Sequence, residues 1–507
     1  MTASKRVKQA LISVYHKDGL EEILRKLHQE NVRLVSTGGT QTFIESLGLP
    51  CQTVEELTGY PAILSGRVKT LHPKIFGGIL ARRDNDTDAE ETTRYHIPEI
   101  DLVIVDLYPF EATVAAGASQ QTIIEKIDIG GISLIRAAAK NYKDVLIVAS
   151  QAQYTPLLHI LEEKGAETTL EDRRWFAREA FAVTSGYDTA IFRYFDNREA
   201  SAFRAAVDNP IHLRYGENPH QEAKFFGYLD QMFDQIHGKE ISYNNLLDMD
   251  AAINLIDEFN TLTFAVIKHN NACGIASRPT VEEAWAAALA GDPVSAFGGI
   301  LVTNTDINRA VAEAINKIFF EVIIAPDYDT AALEVLMQKK NRIILIRKNA
   351  PTPAIQHRSL LNGVLMQSKD LSAQTAADLQ PLTDIVPSTR ETEDLLFANK
   401  IVKHSKSNAV TLVKNQQLCA SGIGQTSRVD ALKQAIDKAR AFHFDLEGAV
   451  MASDAFFPFP DCVEIAAKAG ITAIIQPGGS INDQLSVDSC NQHGIAMVKT
   501  GIRHFKH

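Results

Sequence analysis

Phe264-Ala-Val-Ile-Lys268-His269-Asn270-Asn271-Ala272-Cys273-Gly274 is the stretch on which the fold class turns. Its first four residues are apolar and partly β-branched, as in a buried strand. The run breaks into Lys-His-Asn-Asn, and the spacing predicts a strand that stops in a loop at Gly274. In an α/β sheet such loops lie at the carboxyl ends of strands, where ligands bind. Lys268 offers a cation for developing negative charge, and His269 an imidazole able to take a proton. Neighbouring side chains on a strand point to opposite faces, so both serve one substrate only if the backbone turns between them. The Asn pair allows that turn. On the residues alone, a polar strand end without chemistry fits as well.

Downstream the ingredients repeat. Lys403-His404-Ser-Lys-Ser-Asn408 leads to Gly422-Ile-Gly424-Gln425-Thr-Ser427-Arg428, then Ser453-Asp454-Ala-Phe456-Phe457-Pro-Phe459 and Gln476-Pro-Gly478-Gly479-Ser480. Lys-His at 268/269 and 403/404, each followed by strand-like sequence, suggests a duplicated α/β unit. Between them Asp292-Pro-Val-Ser-Ala-Phe-Gly298-Gly299 feeds another strand. Upstream, Asp208-Asn-Pro210 breaks the chain before Leu213-Arg214-Tyr215-Gly216-Glu217-Asn218-Pro219-His220-Gln221, and Ser242 to Asp248 begins a helix. The basic end, Arg503-His504-Phe505-Lys506-His507, reads by itself as a frayed tail.

Strands and helices alternate in the N-terminal third, which argues for a parallel sheet. Gln9–Val14 and Asn31–Val35 read as strands, and Ser36-Thr37-Gly38-Gly39-Thr40 as a turn into a helix over 41–47. Free amides and a helix dipole at such a turn make an oxyanion cradle, although a plain N-cap at Thr40 fits too. Ser65-Gly66-Arg67-Val68-Lys69-Thr70-Leu71-His72-Pro73-Lys74 reads as a basic loop leading to a strand at Phe76–Leu80. Asp101–Asp106 is a buried strand running into Leu107-Tyr108-Pro109-Phe110. Asp128-Ile-Gly130-Gly131 opens a helix in which Arg136 and Lys140 share a face, and the diglycine with two cations could hold an anion.

Composition narrows the class. At 507 residues the chain exceeds one core, and length suggests roughly three domains. Apolar residues make up 45% and charged residues 22%, as in ordinary soluble proteins. No apolar run approaches the roughly 18 residues of a membrane span, and the N-terminus has no signal-peptide core. Five scattered cysteines without Cys-x-x-Cys point to reduced thiols in the cytoplasm, not to disulfides or zinc. A net charge of −11 argues against a nucleic-acid coat.

Taken in order, these motifs resemble, from end to end, the bifunctional family that joins AICAR formyltransferase to IMP cyclohydrolase; AICAR is aminoimidazole carboxamide ribonucleotide. The resemblance implies an α/β protein with a methylglyoxal-synthase-like cyclohydrolase domain over 1–197. It also implies a formyltransferase domain over 198–507, built of two cytidine-deaminase-like subdomains at about 198–375 and 376–507. No His-x-Glu with Pro-Cys-x-x-Cys is present, so zinc chemistry is not expected, nor any other metal. The implied ligands are AICAR, formyl-AICAR, IMP and the donor 10-formyltetrahydrofolate, in a cytoplasmic homodimer without nucleic-acid or membrane partners.

By the same resemblance Lys268 and His269 catalyse formyl transfer. Arg214, Tyr215, Asn245, Gly299, Glu321, Asn408, Arg428, Phe456, Asp461, Arg503 and His507 hold or surround the substrate there. In the cyclohydrolase Lys69, Tyr108, Asp128 and Lys140 are the catalytic set, and Ser13, Lys17, Ser36, Thr37, Gly38, Gly39, Thr40, Arg67 and Thr70 bind the nucleotide.

Some positions depart from the family pattern. Tyr15-His16 stands where Ser-Asp is usual before Lys17, Phe76 replaces a His, and Asp106 replaces an Asn. Ala272 replaces a Pro, and Ala420-Ser421 stands where Gly-Ile is usual. An added carboxylate at 106 is expected to repel a phosphate. These departures motivate a second reading, a formyltransferase whose N-terminal domain only binds nucleotide as a regulatory module.

Overall fold

The computed structural model describes residues 4–196, 201–208, 210–457 and 459–507. The boundary expected between 197 and 198, the N-terminal residues 1–3, Asn209 and Pro458 lie outside them. The chain divides into two compact units, Met1–Asp208 and Asn209–His507.

The first unit is built on a five-stranded parallel sheet of β1 (Gln9–Ser13), β2 (Arg33–Ser36), β3 (Gln52–Thr53), β4 (Leu102–Val105) and β5 (Leu146–Val148). The strand order is β3-β2-β1-β4-β5. Leu102, Val103, Ile104 and Val105 are all buried, because helices cover both faces of a parallel sheet and alternation disappears. Helices α1 (Gly38–Ser46), α2 (Pro73–Leu80) and α3 (Gly130–Lys140) frame the carboxyl ends of β1, β2 and β4. The strand expected at Phe76–Leu80 is α2 instead. His72 caps it by accepting the Lys74 N–H, and Pro73 sits at the first helical position, where its missing donor costs nothing.

The second unit holds two six-stranded mixed sheets. One is formed by β6 (Phe233–His237), β7 (Thr263–Lys268), β8 (Asn271–Ser277), β9 (Ile300–Thr303), β10 (Val322–Ala325) and β11 (Ile343–Arg347). The other has β12 (Gln380–Pro381), β13 (Val410–Val413), β14 (Leu418–Gly422), β15 (Ala449–Ser453), β16 (Ile471–Gln476) and β17 (Ala496–Lys499). Their orders, β6-β11-β10-β9-β7-β8 and β12-β17-β16-β15-β13-β14, are the same topology drawn twice. Helices α4 (Tyr243–Ile256) and α6 (Thr389–Lys403) contribute to one core shared by both sheets.

The duplication is real, but its register differs from the Lys-His match. Lys403 ends α6 and His404 caps it, and both bond to Glu258 at 2.8 and 3.0 Å. The topological equivalent of Lys268-His269 is Lys414-Asn415, since each pair begins the tight turn of a first-strand hairpin. In both turns the two central residues are left-handed: His269 and Asn270 (φ 50° and 64°), Asn415 and Gln416 (φ 52° and 51°).

Gly274 does not end the strand. The chain reverses at His269-Asn270, and Gly274 lies within β8, where α5 (Val281–Gly291) crosses so closely that a Cβ would sit 1.9 Å from the Ala288 carbonyl oxygen. Gly274→Ala is therefore expected to destabilise the protein by about 3 kcal/mol, since backbone must move to admit the methyl. A urea unfolding midpoint that did not move would refute this.

Candidate active sites

In the first unit the loop carrying Lys69 and Thr70 wedges between two helix N-termini. Lys69 Nζ lies 3.2 Å from where a Cβ on Gly38 would stand, at the start of α1. The buried Thr70 Oγ1 lies 3.3 Å from the equivalent point on Gly130, at the start of α3. Two helix N-termini, with the positive ends of their dipoles, thus flank this loop, with the ammonium at the first, the hydroxyl at the second and open space beside Gly39. Ser36 and Thr40 shape this cradle without facing it. Ser36 Oγ donates to the Ile12 carbonyl at 2.7 Å, and Thr40 Oγ1 bonds both the N–H and the C=O of Val14. Thr37, Gly38 and Gly39 carry the helix start. Ser13 ends β1, and Lys17 Nζ donates to the carbonyls of Val14 and Tyr15 at 2.6 and 2.8 Å. Burial lowers the Lys17 pKa, against the pull of Asp106. Arg67 is engaged by Glu125 at the surface.

Beside the cradle stand Tyr108 and Asp128. Asp128 accepts the Gly131 N–H at 2.6 Å, and burial raises its pKa although backbone N–H groups of Gly131, Tyr108 and Ile132 pull it down. Burial, then the charge of Asp128, raises the Tyr108 pKa, so its hydroxyl stays a donor at neutral pH. Lys126 was missed by sequence reasoning; its Nζ lies 5.1 Å from the Tyr15 ring and 5.5 Å from that of Tyr108. Only its place two residues before Asp128 hinted at it.

Lys140 does not join this cluster. It closes α3, whose first turn carries the Asp128 contact, and eleven residues at about 1.5 Å each separate the ends by roughly 15 Å. It lines a basic cleft of about 310 Å³ with Arg174, Arg178, Tyr142 and Phe181. Arg136 stacks on Phe181 instead of serving the diglycine.

In the second unit the hairpin turn presents His269 to solvent and Lys268 to a polypeptide cradle. Lys268 Nζ donates to the carbonyls of Phe297 and Gly298 at 3.1 and 3.0 Å, which leaves one of its three protons available. Asp248 on α4 accepts the Asn270 N–H at 2.6 Å; burial raises its pKa, and that bond with the charges of His269 and Lys268 opposes the rise. Asn271 Nδ2 donates to the His269 carbonyl at 2.8 Å, and its Oδ1 accepts the Lys406 N–H at 3.0 Å. That loop leads to Asn408, whose Oδ1 accepts two bonds at 3.0 Å from buried Arg428, itself 3.0 Å from Asp454. The site thus lies at the carboxyl end of β7 but the amino ends of the parallel strands β9 and β10, because β7 runs antiparallel to them.

The remaining positions spread around this centre. Gly299 is buried where a Cβ would meet the Ile267 carbonyl at 2.8 Å, and the Glu321 N–H donates to the Gly299 carbonyl. The Glu321 side chain pairs with Lys239 at 2.6 Å. Arg214 stacks on Tyr215 and bonds its hydroxyl, in a loop tied to α4 through Asn244. Asn245 is largely spent on capping α4 with Ser242. Phe456 is part exposed, and Asp461 begins a helix over Asp461–Lys468. The tail is docked rather than frayed: His504 bonds Asp370 at 2.6 Å, Lys506 pairs backbone with Ser407, and the His507 carbonyl accepts from Arg358. Arg503 stacks on Phe505. Among the described residues no group of three or more His, Cys, Asp or Glu is placed to hold a metal, and no helix is long and apolar enough to cross a membrane.

The profile of the AICARFT/IMPCHase bienzyme family matches residues 138–438, and that of the MGS-like domain matches 19–133. Curated relatives match over their full length. The chain is 71% identical over 507 residues to the "Bifunctional purine biosynthesis protein PurH" of Bacteroides thetaiotaomicron, covering 100% of each. It is 45% identical to the protein of that name from Persephonella marina, covering 99% of this chain and 100% of the other. For Aquifex aeolicus the identity is 46%, over 98% and 100%.

Proposed function

The chain belongs to the AICARFT/IMPCHase bienzyme family and catalyses formyl transfer to AICAR and closure of formyl-AICAR to IMP, and on that premise we propose that its two units divide the work. Met1–Asp208 carries ring closure and Asn209–His507 carries formyl transfer, with 10-formyltetrahydrofolate as donor and no metal. The setting is cytoplasmic, with no nucleic-acid or membrane partner.

In transfer His269 takes the proton of the AICAR amine as it attacks the formyl carbon, and the spare Lys268 proton meets the tetrahedral oxyanion; collapse of that intermediate breaks the bond from the formyl carbon to the folate nitrogen, which leaves with the proton His269 took. In closure the carboxamide nitrogen attacks the formyl carbon and water departs. Tyr108 and Lys69 donate to the formyl oxygen, and Asp128 accepts from the attacking amide. The loop tied to Asn271 leads to the Asn408–Arg428 pair, and the Arg214 loop is tied to α4, the helix that holds the His269 turn; these cations and amides suit a ribonucleotide.

The observation that carries the two-site assignment is the loop that sets the Lys69 ammonium against one helix N-terminus, at Gly38, and the Thr70 hydroxyl against another, at Gly130. It also weighs against a merely regulatory first unit, because Tyr108 and Asp128 stand beside it. A homodimer is favoured by the hairpin Ile355–Leu360 and Gly363–Ser368, exposed along both strands and bearing Ile355, Leu365 and Met366. It would also let Lys140 serve a second copy.

The test is to supply synthetic formyl-AICAR without folate. IMP should form promptly; its absence, with formyl transfer intact, would remove ring closure from the first unit.

A further inference from the structure

Asp106 closes β4 at the margin of the cradle, and the groups on its carboxylate form a single unit. Oδ1 accepts the Tyr15 backbone N–H. Oδ2 accepts that of His16 at 2.9 Å and faces His16 Nδ1 at 2.8 Å. The carboxylate is buried, so leaving any of these bonds unmade would be costly. The loop it grips carries Tyr15, whose ring meets that of Tyr108 edge-on at 5.6 Å between centroids. Lys126 spans both rings, and Lys17 is folded back on the same loop.

With an imidazole at 16 on the loop, a carboxylate suits this position and an amide does not. An amide oxygen accepts, but the amide nitrogen would face a second N–H donor with one of its own. The carboxylate expected to repel a phosphate is engaged by the loop, with the ring nitrogen at 2.8 Å.

We propose that Asp106 and His16 are a positioning pair for ring closure: they fix the loop 14–17 so that Tyr15 and Lys126 hold Tyr108 on the formyl oxygen, and His16 engages the carboxylate that would otherwise face an anionic nucleotide. This rests on the reading of Met1–Asp208 as the ring-closing unit.

Six proteins test it: the parent, Asp106→Asn, His16→Asp, His16→Asn, the double variant Asp106→Asn with His16→Asp, and Tyr108→Phe. Each is assayed for kcat and KM on synthetic formyl-AICAR, with formyl transfer and thermal melting as checks on folding. Asp106→Asn should lower kcat by about tenfold or more, because a loosened Tyr15 lets Tyr108 drift. His16→Asp sets two carboxylates face to face and should raise KM by about tenfold. His16→Asn, which cannot repel Asp106, should raise KM less and spare kcat. The double variant exchanges the partners and should recover most of both losses. Single variants that cyclise like the parent, or a double variant in which the two losses simply multiply, would overturn the pair. Tyr108→Phe is run alongside; unimpaired cyclisation there would remove Tyr108 from ring closure, and the pair's positioning role with it, while the assignment of the unit rests on Lys69.

Discussion

His269→Ala should lower formyl transfer by about 10²–10⁴-fold, the usual worth of a positioned general base, while closure of supplied formyl-AICAR proceeds unchanged. The expectation comes from what surrounds the ring. His269 is the first central residue of a two-residue turn, with φ 50°, and it is exposed. Its neighbours are fixed by other means, since Asp248 holds the Asn270 N–H and Asn271 ties the turn to Lys406. Alanine carries a cost of about 1 kcal/mol in a left-handed conformation, so the alanine variant mixes loss of the base with some loosening of the turn. His269→Asn separates the two. Asparagine tolerates this conformation, and the second repeat already uses Asn415 at the equivalent place with φ 52°. Equal loss in both variants, read as kcat for AICAR with the folate donor, assigns the effect to the imidazole. An asparagine variant that kept its activity would leave His269 a turn residue and nothing more.

Much of this was legible in the sequence because it depends on local signals. Apolar runs and glycine turns pointed to a parallel sheet and to its strands β1, β2 and β4, while the two-residue β3 (Gln52–Thr53) carries no such signal; Ser36–Thr40 announced a helix start at a strand end. The Lys-His-Asn-Asn turn was legible as a possibility, and the structure shows why it turns so early: two residues there take positive φ, leaving Gly274 free for a packing role. What was not legible depends on groups far apart in sequence. Asp106 looked like a misplaced charge until the loop 15–16, some 90 residues earlier, closed over it. Lys126 shows no motif, because a cation over two aromatic rings is defined only in space. The Lys403-His404 match misled for a related reason. A dipeptide carries no register, whereas strand order does, and the sheet topology places Lys414-Asn415 in that role.

Lys69→Ala should do the reverse of His269→Ala, lowering closure of formyl-AICAR by about 10²–10³-fold with transfer unchanged, as when one preorganised oxyanion donor is removed. Lys69 Nζ sits between Gly38 and Gly66, 3.2 Å from the point a Cβ would occupy on each, so it is held rather than tethered at the surface. If it only bound phosphate, KM would rise and kcat would hold; if it meets the developing oxyanion, kcat falls. Lys140 gives the variant a second use. Within one chain α3 keeps Lys140 roughly 15 Å from the Asp128 end, so a role in the same reaction requires a second copy to deliver it. Lys140→Ala would then impair closure by itself. Subunits of Lys69→Ala and Lys140→Ala co-assembled in equal amounts would regain activity, because each mixed dimer pairs one intact Lys69 with the intact Lys140 of its partner. Half the dimers are mixed and half their sites intact, so recovery should approach about a quarter of the parent rate. Recovery of that size would place Lys140 across the dimer. If Lys140→Ala closes the ring at the parent rate, Lys140 leaves the mechanism and the ring-closing set is Lys69, Tyr108 and Asp128.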